Sequence, residues 1–167
     1  MKKLTALMLV LSLVTVILCS CSSSEPSSQT APSVQASKAL SEVFADIKAQ
    51  VQLSEMNEFT NAAILDRYYG IAEADIQEFA GGINNSGVEQ EEIVLVKAAD
   101  SGKAEAIKAA LENRLNAKLN ENVNYNPEQA EMIKKCKVEQ NELYVSMIVS
   151  ENAEKITEIY KSETGIA

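Results

Sequence analysis

The sequence predicts an α+β domain with an antiparallel sheet of about four strands, arranged as two β-hairpins covered by helices. A signal peptide and a disordered tether are expected to precede this domain. Three observations lead to this prediction. Two pairs of short apolar runs are each interrupted by turn residues. Apolar residues at helical spacing lie before, between and after these pairs. A Ser/Pro-rich stretch separates all of them from an apolar N-terminus.

The N-terminal segment is typical of a signal peptide. Lys2 and Lys3 precede an uncharged apolar run from Leu4 to Leu18. A membrane span needs about 20 residues, so this run has the length of the apolar region of a signal peptide instead. A retained N-terminal anchor helix is the alternative interpretation.

The end of the apolar run predicts lipid attachment. Residues 18 to 21 read Leu-Cys-Ser-Cys, which resembles the bacterial lipobox. Cleavage after the small Ser20 would release Cys21, whose thiol would carry a diacylglyceryl group. Cys19 is the competing position, but the bulky Leu18 would then precede the cleaved bond. We therefore predict a lipid-anchored protein on the extracytoplasmic face of the cell membrane, attached through Cys21.

The predicted organisation is a signal peptide at 1–20, a flexible tether at 21–37 and one globular domain at 38–167. Ser22 to Ser37 contains seven serines and two prolines, a composition that cannot bury enough apolar surface to fold. A flexible coil of this length has an r.m.s. reach of roughly 20 Å. About 130 residues then remain, the usual size of one domain.

The charge of the chain argues against nucleic acid as a partner. The formal charge is −9, and removal of residues 1–20 takes away two lysines and no acidic residue, which leaves −11. Nucleic-acid binding depends on Lys and Arg neutralising phosphates. The expected partners are therefore the membrane, through Cys21, and an envelope protein.

The expected elements follow from hydrophobic periodicity, caps and turns. Helices covering one face of the sheet are expected from about Ser37 to Val51, from Phe59 to Tyr69, from Asp100 to about Leu119, from Asn126-Pro127 and from Ser150 onward. Strands are expected at Asp75–Ile83, Glu92–Ala98, Lys135–Gln140 and Leu143–Val149. Gly70 is expected to stop the second helix, and Gly81-Gly82 predicts a bulge or a close backbone approach. In the long helix, Glu112 and Lys118 are assigned to the solvent face.

Candidate catalytic and metal-binding residues all have a structural alternative. The chain has no His, and we predict no catalytic residue, no metal site and no cofactor. Glu89, Glu91 and Glu92 could bind Ca²⁺, but their spacing is not that of an EF-hand, and a solvated turn is the favoured interpretation. Cys136, flanked by lysines, could be a reactive thiol. A small, partly buried strand residue is the favoured interpretation.

Two further groups of polar side chains each have two interpretations. Asp66, Asp75 and Asp100 could form an acid–base pair, but helix-end positions explain Asp66 and Asp100 equally well. Four tyrosines could stack on a ligand ring or pack at the rim of the core: Tyr68, Tyr69, Tyr125 and Tyr144.

Several short stretches resemble one family. They are Tyr69-Gly70-Ile71, Glu91–Ala98, Arg114-Leu115, Tyr125-Asn126-Pro127 and Leu143-Tyr144-Val145. They are similar to a family of lipoproteins of Gram-positive bacteria that is known only as a domain of unknown function, number 4358. The resemblance implies a lipid anchor, a single membrane and an extracytoplasmic domain, and it supplies no catalytic residues. The turn at Asn141-Glu142 departs from the family pattern, in which a Gly is expected.

Three functions are compatible with these features. The leading hypothesis is a non-enzymatic binding or interaction module at the cell envelope. The first alternative is a small, hydrolase-like envelope enzyme that uses carboxylates, Ser or Cys136. The second is a small-ligand carrier, although the domain is small for a two-lobed solute-binding protein.

Overall fold

The computed structural model describes residues 38–166. The predicted signal peptide with its cleavage position at Ser20, the predicted attachment site Cys21 and the predicted tether lie outside the described residues. The predicted α+β class is confirmed, with both hairpins in place.

The described domain contains a five-stranded, wholly antiparallel sheet. The strands are β1 (Asn57–Glu58), β2 (Ile76–Ile83), β3 (Glu92–Ala98), β4 (Val138–Asn141) and β5 (Tyr144–Val149), in the spatial order β1-β2-β3-β5-β4. The sequence did not predict β1, because two residues are too short to show an alternating pattern.

The helices are α1 (Leu40–Gln50), α2 (Ala63–Tyr69), α3 (Ser101–Tyr125), α4 (Pro127–Ile133) and α5 (Ala153–Thr164). A 3₁₀ turn at Glu73–Asp75 precedes β2. The expected helix from Phe59 begins at Ala63 instead, and the long helix continues past Leu119 to Tyr125. None of the helices in residues 38–166 is long and apolar enough to cross a membrane.

Helices cover both faces of the sheet, and the expectation of one covered face was wrong. Val94 and Val96 of β3 pack with α2, α3 and α4, whereas Ile93 and Leu95 pack with α1 and α5. Because β3 is buried on both sides, it reads as an unbroken apolar run rather than as an alternating one. The apolar run at Glu92–Ala98 therefore predicted the strand correctly. It gave no alternation from which helices on both faces of the sheet could have been predicted.

Two backbone positions with a positive φ test the sequence-based expectations. Gly81 has φ +143°, and a Cβ at this position would overlap the carbonyl oxygen of Ile93 on the neighbouring strand. The predicted close backbone approach is confirmed, while the register irregularity of the β2–β3 pair lies earlier, between Ile76 and Glu78. In the β4–β5 turn, Glu142 has φ +50°, so a glutamate adopts the conformation for which a Gly was expected.

The two ends of the sheet are distinct. At the first end, which we call the Lys38 end, Lys38 N donates to Glu163 O and Leu40 N donates to a Glu78 carboxylate oxygen, at 3.2 and 3.1 Å. The second end, which we call the Glu91 end, contains residues 51–54, 84–91, 123–129 and 150–152. An eight-residue strand such as β2 separates the two ends by roughly 25 Å.

Candidate functional site

A polar pocket of about 480 Å³ lies at the Glu91 end. The segment that follows α1 forms one wall, the start of α5 forms a second, and Gln129 of α4 forms part of a third. Three glutamates line it, namely Glu89, Glu91 and Glu151. The one lysine in the lining is Lys155, whose Nζ donates to the carbonyl oxygen of Gln50 at 2.8 Å. The pocket is therefore acidic.

Glu91 connects two walls of the pocket. Its Oε2 accepts a hydrogen bond from Ser54 N at 2.6 Å, and its Oε1 accepts one from Ser150 Oγ at 2.5 Å. Ser150 follows Val149, the cross-strand partner of Glu92, so the end of β5 brings its hydroxyl beside Glu91. Glu91 thus fixes the segment after α1 against the end of the sheet.

Asn84 orders the loop that carries Glu89. Its Nδ2 donates to Ser54 Oγ at 3.0 Å and to Glu89 Oε2 at 3.3 Å, and its Oδ1 accepts from Ser86 N at 2.7 Å. The loop is also tied to α4, since Gln90 N donates to Gln129 Oε1 at 2.9 Å. The pocket wall is consequently built by defined hydrogen bonds rather than by packing alone.

An ion cluster lies directly beneath this wall, on the α3 side of the sheet. Arg114 Nε and Nη2 donate to the two oxygens of Glu92 at 3.0 and 2.9 Å. Lys118 Nζ lies 3.0 Å from Glu92 Oε2 and donates to Gln90 Oε1 at 3.1 Å. Glu92 is completely buried, and the Lys118 side chain is only 4% exposed.

These contacts correct two expectations. Glu91 and Glu92 are not part of a solvated turn, because both are held by hydrogen bonds and Glu92 is buried. Lys118 does not lie on the solvent face of its helix, because Glu92 draws its ammonium group into the domain. The attraction between the buried lysine and the buried carboxylate offsets the free-energy cost of removing both charges from water. Burying either charge alone would be unfavourable.

The charges of this cluster change the acidity of its members. Burial alone would raise the pKa of Glu92, but hydrogen bonds from Arg114 and the charge of Lys118 outweigh burial and hold its pKa below the usual range. Tyr69 lies close to the same cluster. Burial, and then the negative charge of Glu92, raise the pKa of Tyr69. Glu92 is therefore ionised and Tyr69 neutral at pH 7.

A family model described as a domain of unknown function, DUF4358, matches residues 49–150. The chain belongs to this family. No curated protein and no solved structure shows a significant match to it. The DUF4358 match includes Glu91, Glu92, Arg114, Lys118 and Ser150, so the ion cluster and most of the pocket lie within the family domain.

The aspartates of the DUF4358 protein that were considered as an acid–base pair do not form one. Asp100 caps α3 by accepting from Lys103 N at 2.9 Å, and Asp75 pairs with Lys103 Nζ at 2.7 Å. Asp75 and Asp100 therefore meet at one lysine, whereas Asp66 is exposed on α2. Within residues 38–166, no group of three or more His, Cys, Asp or Glu side chains is arranged to hold a metal ion.

Cys136 of the DUF4358 domain is partly buried between α4 and β4, just outside the strand in which it was expected. Its Sγ lies 3.3 Å from Met132 O. Burial raises the pKa of the thiol, and a hydrogen bond with the Ser150 backbone opposes this effect only in part. The lysines that flank Cys136 in sequence do not activate it, so the structure favours the packed thiol over the reactive one.

The tyrosines of the DUF4358 domain do not form a common stacking site. Tyr69 is buried and packs edge-on against Phe59, with 6.2 Å between the ring centroids. The Tyr144 ring lies under Lys97 Nζ at 5.3 Å. Tyr125 is 92% exposed at the end of α3.

Proposed function

We propose that this DUF4358 protein is a non-enzymatic binding module held on the outer face of the cell membrane by a lipid on Cys21. The observation that carries the binding role is the acidic pocket at the Glu91 end. Its walls are fixed by hydrogen bonds, so little ordering is required when a ligand or a partner protein binds.

The geometry around Ser150 favours binding over nucleophilic catalysis. Ser150 is only 2% exposed, its Oγ donates to Glu91, and the same oxygen accepts from Asn152 N at 3.1 Å. Both Glu91 oxygens accept hydrogen bonds as well. Because Ser150 is buried, its hydroxyl is not presented to a bound substrate as a nucleophile.

The pattern Leu18-Cys19-Ser20-Cys21 supports the anchor, and metabolic labelling with palmitate tests it. We expect the full-length protein to incorporate label and Cys21→Ala to lose it. Cys19→Ala is the matched control and is expected to retain the label. Label that persists in Cys21→Ala would rule out attachment at this residue.

Photo-crosslinking in intact cells tests the binding role. A photoreactive side chain at Gln52, on the exposed rim of the pocket, is expected to crosslink to an envelope protein. The same side chain at the exposed Ser162, near the Lys38 end, serves as the control and should give no such product. If neither position gives a product, the protein does not bind an envelope protein through this end.

A further inference from the structure

Exposed apolar side chains concentrate at the Glu91 end. Among residues 38–166, the exposed large hydrophobic side chains are Tyr68, Val88, Val123 and Tyr125. Three of these lie at the Glu91 end, with exposures of 68% for Val88, 47% for Val123 and 92% for Tyr125. Val123 lies two residues before Tyr125 on α3 and therefore faces another side of the helix. We call Val88 and Tyr125 the Tyr125 ridge. A tyrosine ring so fully exposed on a helix contributes nothing to the core.

The Tyr125 ridge is joined to the domain by hydrogen bonds. Asn126 Nδ2 donates to Val88 O at 2.9 Å, which fixes the β2–β3 loop against the end of α3. Within the loop, Val88 N donates to Ser86 Oγ at 3.3 Å. The backbone that carries Val88 and Tyr125 is therefore fixed before any partner binds, which lowers the entropy lost on binding.

The charges around the Tyr125 ridge are negative. Glu121 and Glu128, on either side of Tyr125 in the sequence, are both exposed. Glu89 follows Val88 and lines the acidic pocket. Two basic side chains nearby are already engaged. Lys118 is buried against Glu92, and Lys155 Nζ, in the pocket lining, donates to Gln50 O. An apolar surface with an acidic border is complementary to a positively charged protein segment and repels anionic lipid.

We propose that the Tyr125 ridge and the adjacent pocket bind an extended segment of an envelope protein that carries Lys or Arg beside an apolar residue. The apolar side chain packs on Val88 and Tyr125, and a basic side chain enters the pocket between Glu89 and Glu151. A cation over the Tyr125 ring adds to the attraction. This inference rests on the proposed binding function and specifies its partner.

A peptide titration tests the proposal on the full-length protein reconstituted in phosphatidylcholine liposomes. The probe is the heptapeptide Lys-Val-Lys-Tyr-Lys-Val-Lys, and the same peptide with Glu in place of Lys is its control. We expect the basic peptide alone to bind. Tyr125→Ala should raise its Kd about fivefold, the loss expected for an aromatic ring that contacts a cation.

Two matched variants separate the Tyr125 ridge from general electrostatic attraction. Tyr68→Ala removes an exposed tyrosine outside the ridge and should leave the Kd unchanged. Glu89→Gln should raise the Kd about twofold, whereas Glu42→Gln, the same charge change on α1, should not. Equal binding of the acidic peptide, or a Kd that Tyr125→Ala leaves unchanged, overturns the proposal.

Tyr125→Trp reports directly on the occupant, because the chain contains no other tryptophan. Peptide binding should shift its fluorescence to the blue in phosphatidylcholine liposomes. A blue shift without peptide in phosphatidylglycerol liposomes would assign the ridge to lipid, and one that grows with protein density would assign it to a second copy; either result overturns the proposal. If the basic peptide does not bind but the Gln52 crosslink to an envelope protein forms in cells, the binding function stands and only this partner assignment fails.

Discussion

Arg114 and Glu92 form a bidentate ion pair, with Nε and Nη2 at 3.0 and 2.9 Å from the two carboxylate oxygens. This pair joins the middle of α3 to the first residue of β3, and Lys118 adds a second contact one helical turn later. Because Glu91 of the pocket directly precedes Glu92, the ion pair also positions the pocket wall.

Arg114→Met should destabilise the domain by about 3–5 kcal/mol, the loss typical when one partner of a buried ion pair is removed. The methionine keeps the apolar stem but leaves Glu92 without its bidentate partner. Lys108→Met is the matched control on α3, since Lys108 pairs with Glu112 at the surface and should contribute less than about 1 kcal/mol. Urea unfolding of both variants measures the difference, and equal losses would contradict this account.

The Glu92 ion pair should also make stability depend on pH on the acid side. Because the folded pKa of Glu92 is lowered, its contribution is complete above the pKa of an unfolded glutamate, about 4.3, and is lost as pH falls through the folded pKa. Thermal unfolding between pH 7 and pH 3 should therefore show a falling Tm. In Glu92→Gln, the Tm should be lower at pH 7 and should fall less steeply on acidification; a parallel decline in both proteins would refute the assignment.

Gly81→Ala should destabilise the domain strongly, because the added Cβ overlaps the Ile93 carbonyl oxygen within the β2–β3 pair. Gly87→Ala is the matched control. Gly87 also has a positive φ, of +78°, but a Cβ there meets nothing within 4 Å. Its loss should be about 1–2 kcal/mol, from the left-handed conformation alone. Chemical denaturation that ranks Gly87→Ala as the more damaging change would count against the close strand approach.

Glu142→Gly should stabilise the domain by roughly 0.5–1 kcal/mol, because Gly adopts the left-handed conformation of this turn without strain. Part of the gain is offset by the greater entropy of Gly in the unfolded chain. Glu142→Ala keeps the strain and should give no such gain. The midpoint of urea unfolding compares the two variants.

Cys136 should react slowly with a maleimide in the folded protein, because burial raises the pKa of its thiol. The experiment uses the full chain with Cys19→Ser and Cys21→Ser, which leaves Cys136 as its one cysteine. Labelling should accelerate several-fold in urea. A rate in buffer that equals or exceeds the rate in urea would restore the reactive-thiol hypothesis.

Local sequence determined the elements of the fold whose signals are short-range. Glu92–Ala98 is a strand with the predicted bounds, Asp100 caps α3 as expected, and Pro127 begins α4. The expected turn at Asn141-Glu142 also forms, with Glu142 at a φ of +50°. Caps, turns and hydrophobic periodicity act over a few residues, so the sequence alone was sufficient for them.

Tertiary structure alone decided where the charges and the second helical layer lie. Glu92 and Lys118 are 26 positions apart in the sequence. From its local sequence, each charged side chain is expected to be exposed to solvent, but the fold places the two together in the interior. Arg114 and Lys118 offset the desolvation cost of Glu92, and Glu92 offsets that of Lys118, a compensation between distant residues that no local pattern encodes. The pocket depends in the same way on Ser54, Glu91 and Ser150, which are far apart in sequence and meet only when β3 pairs with β5 and the segment after α1 packs against them.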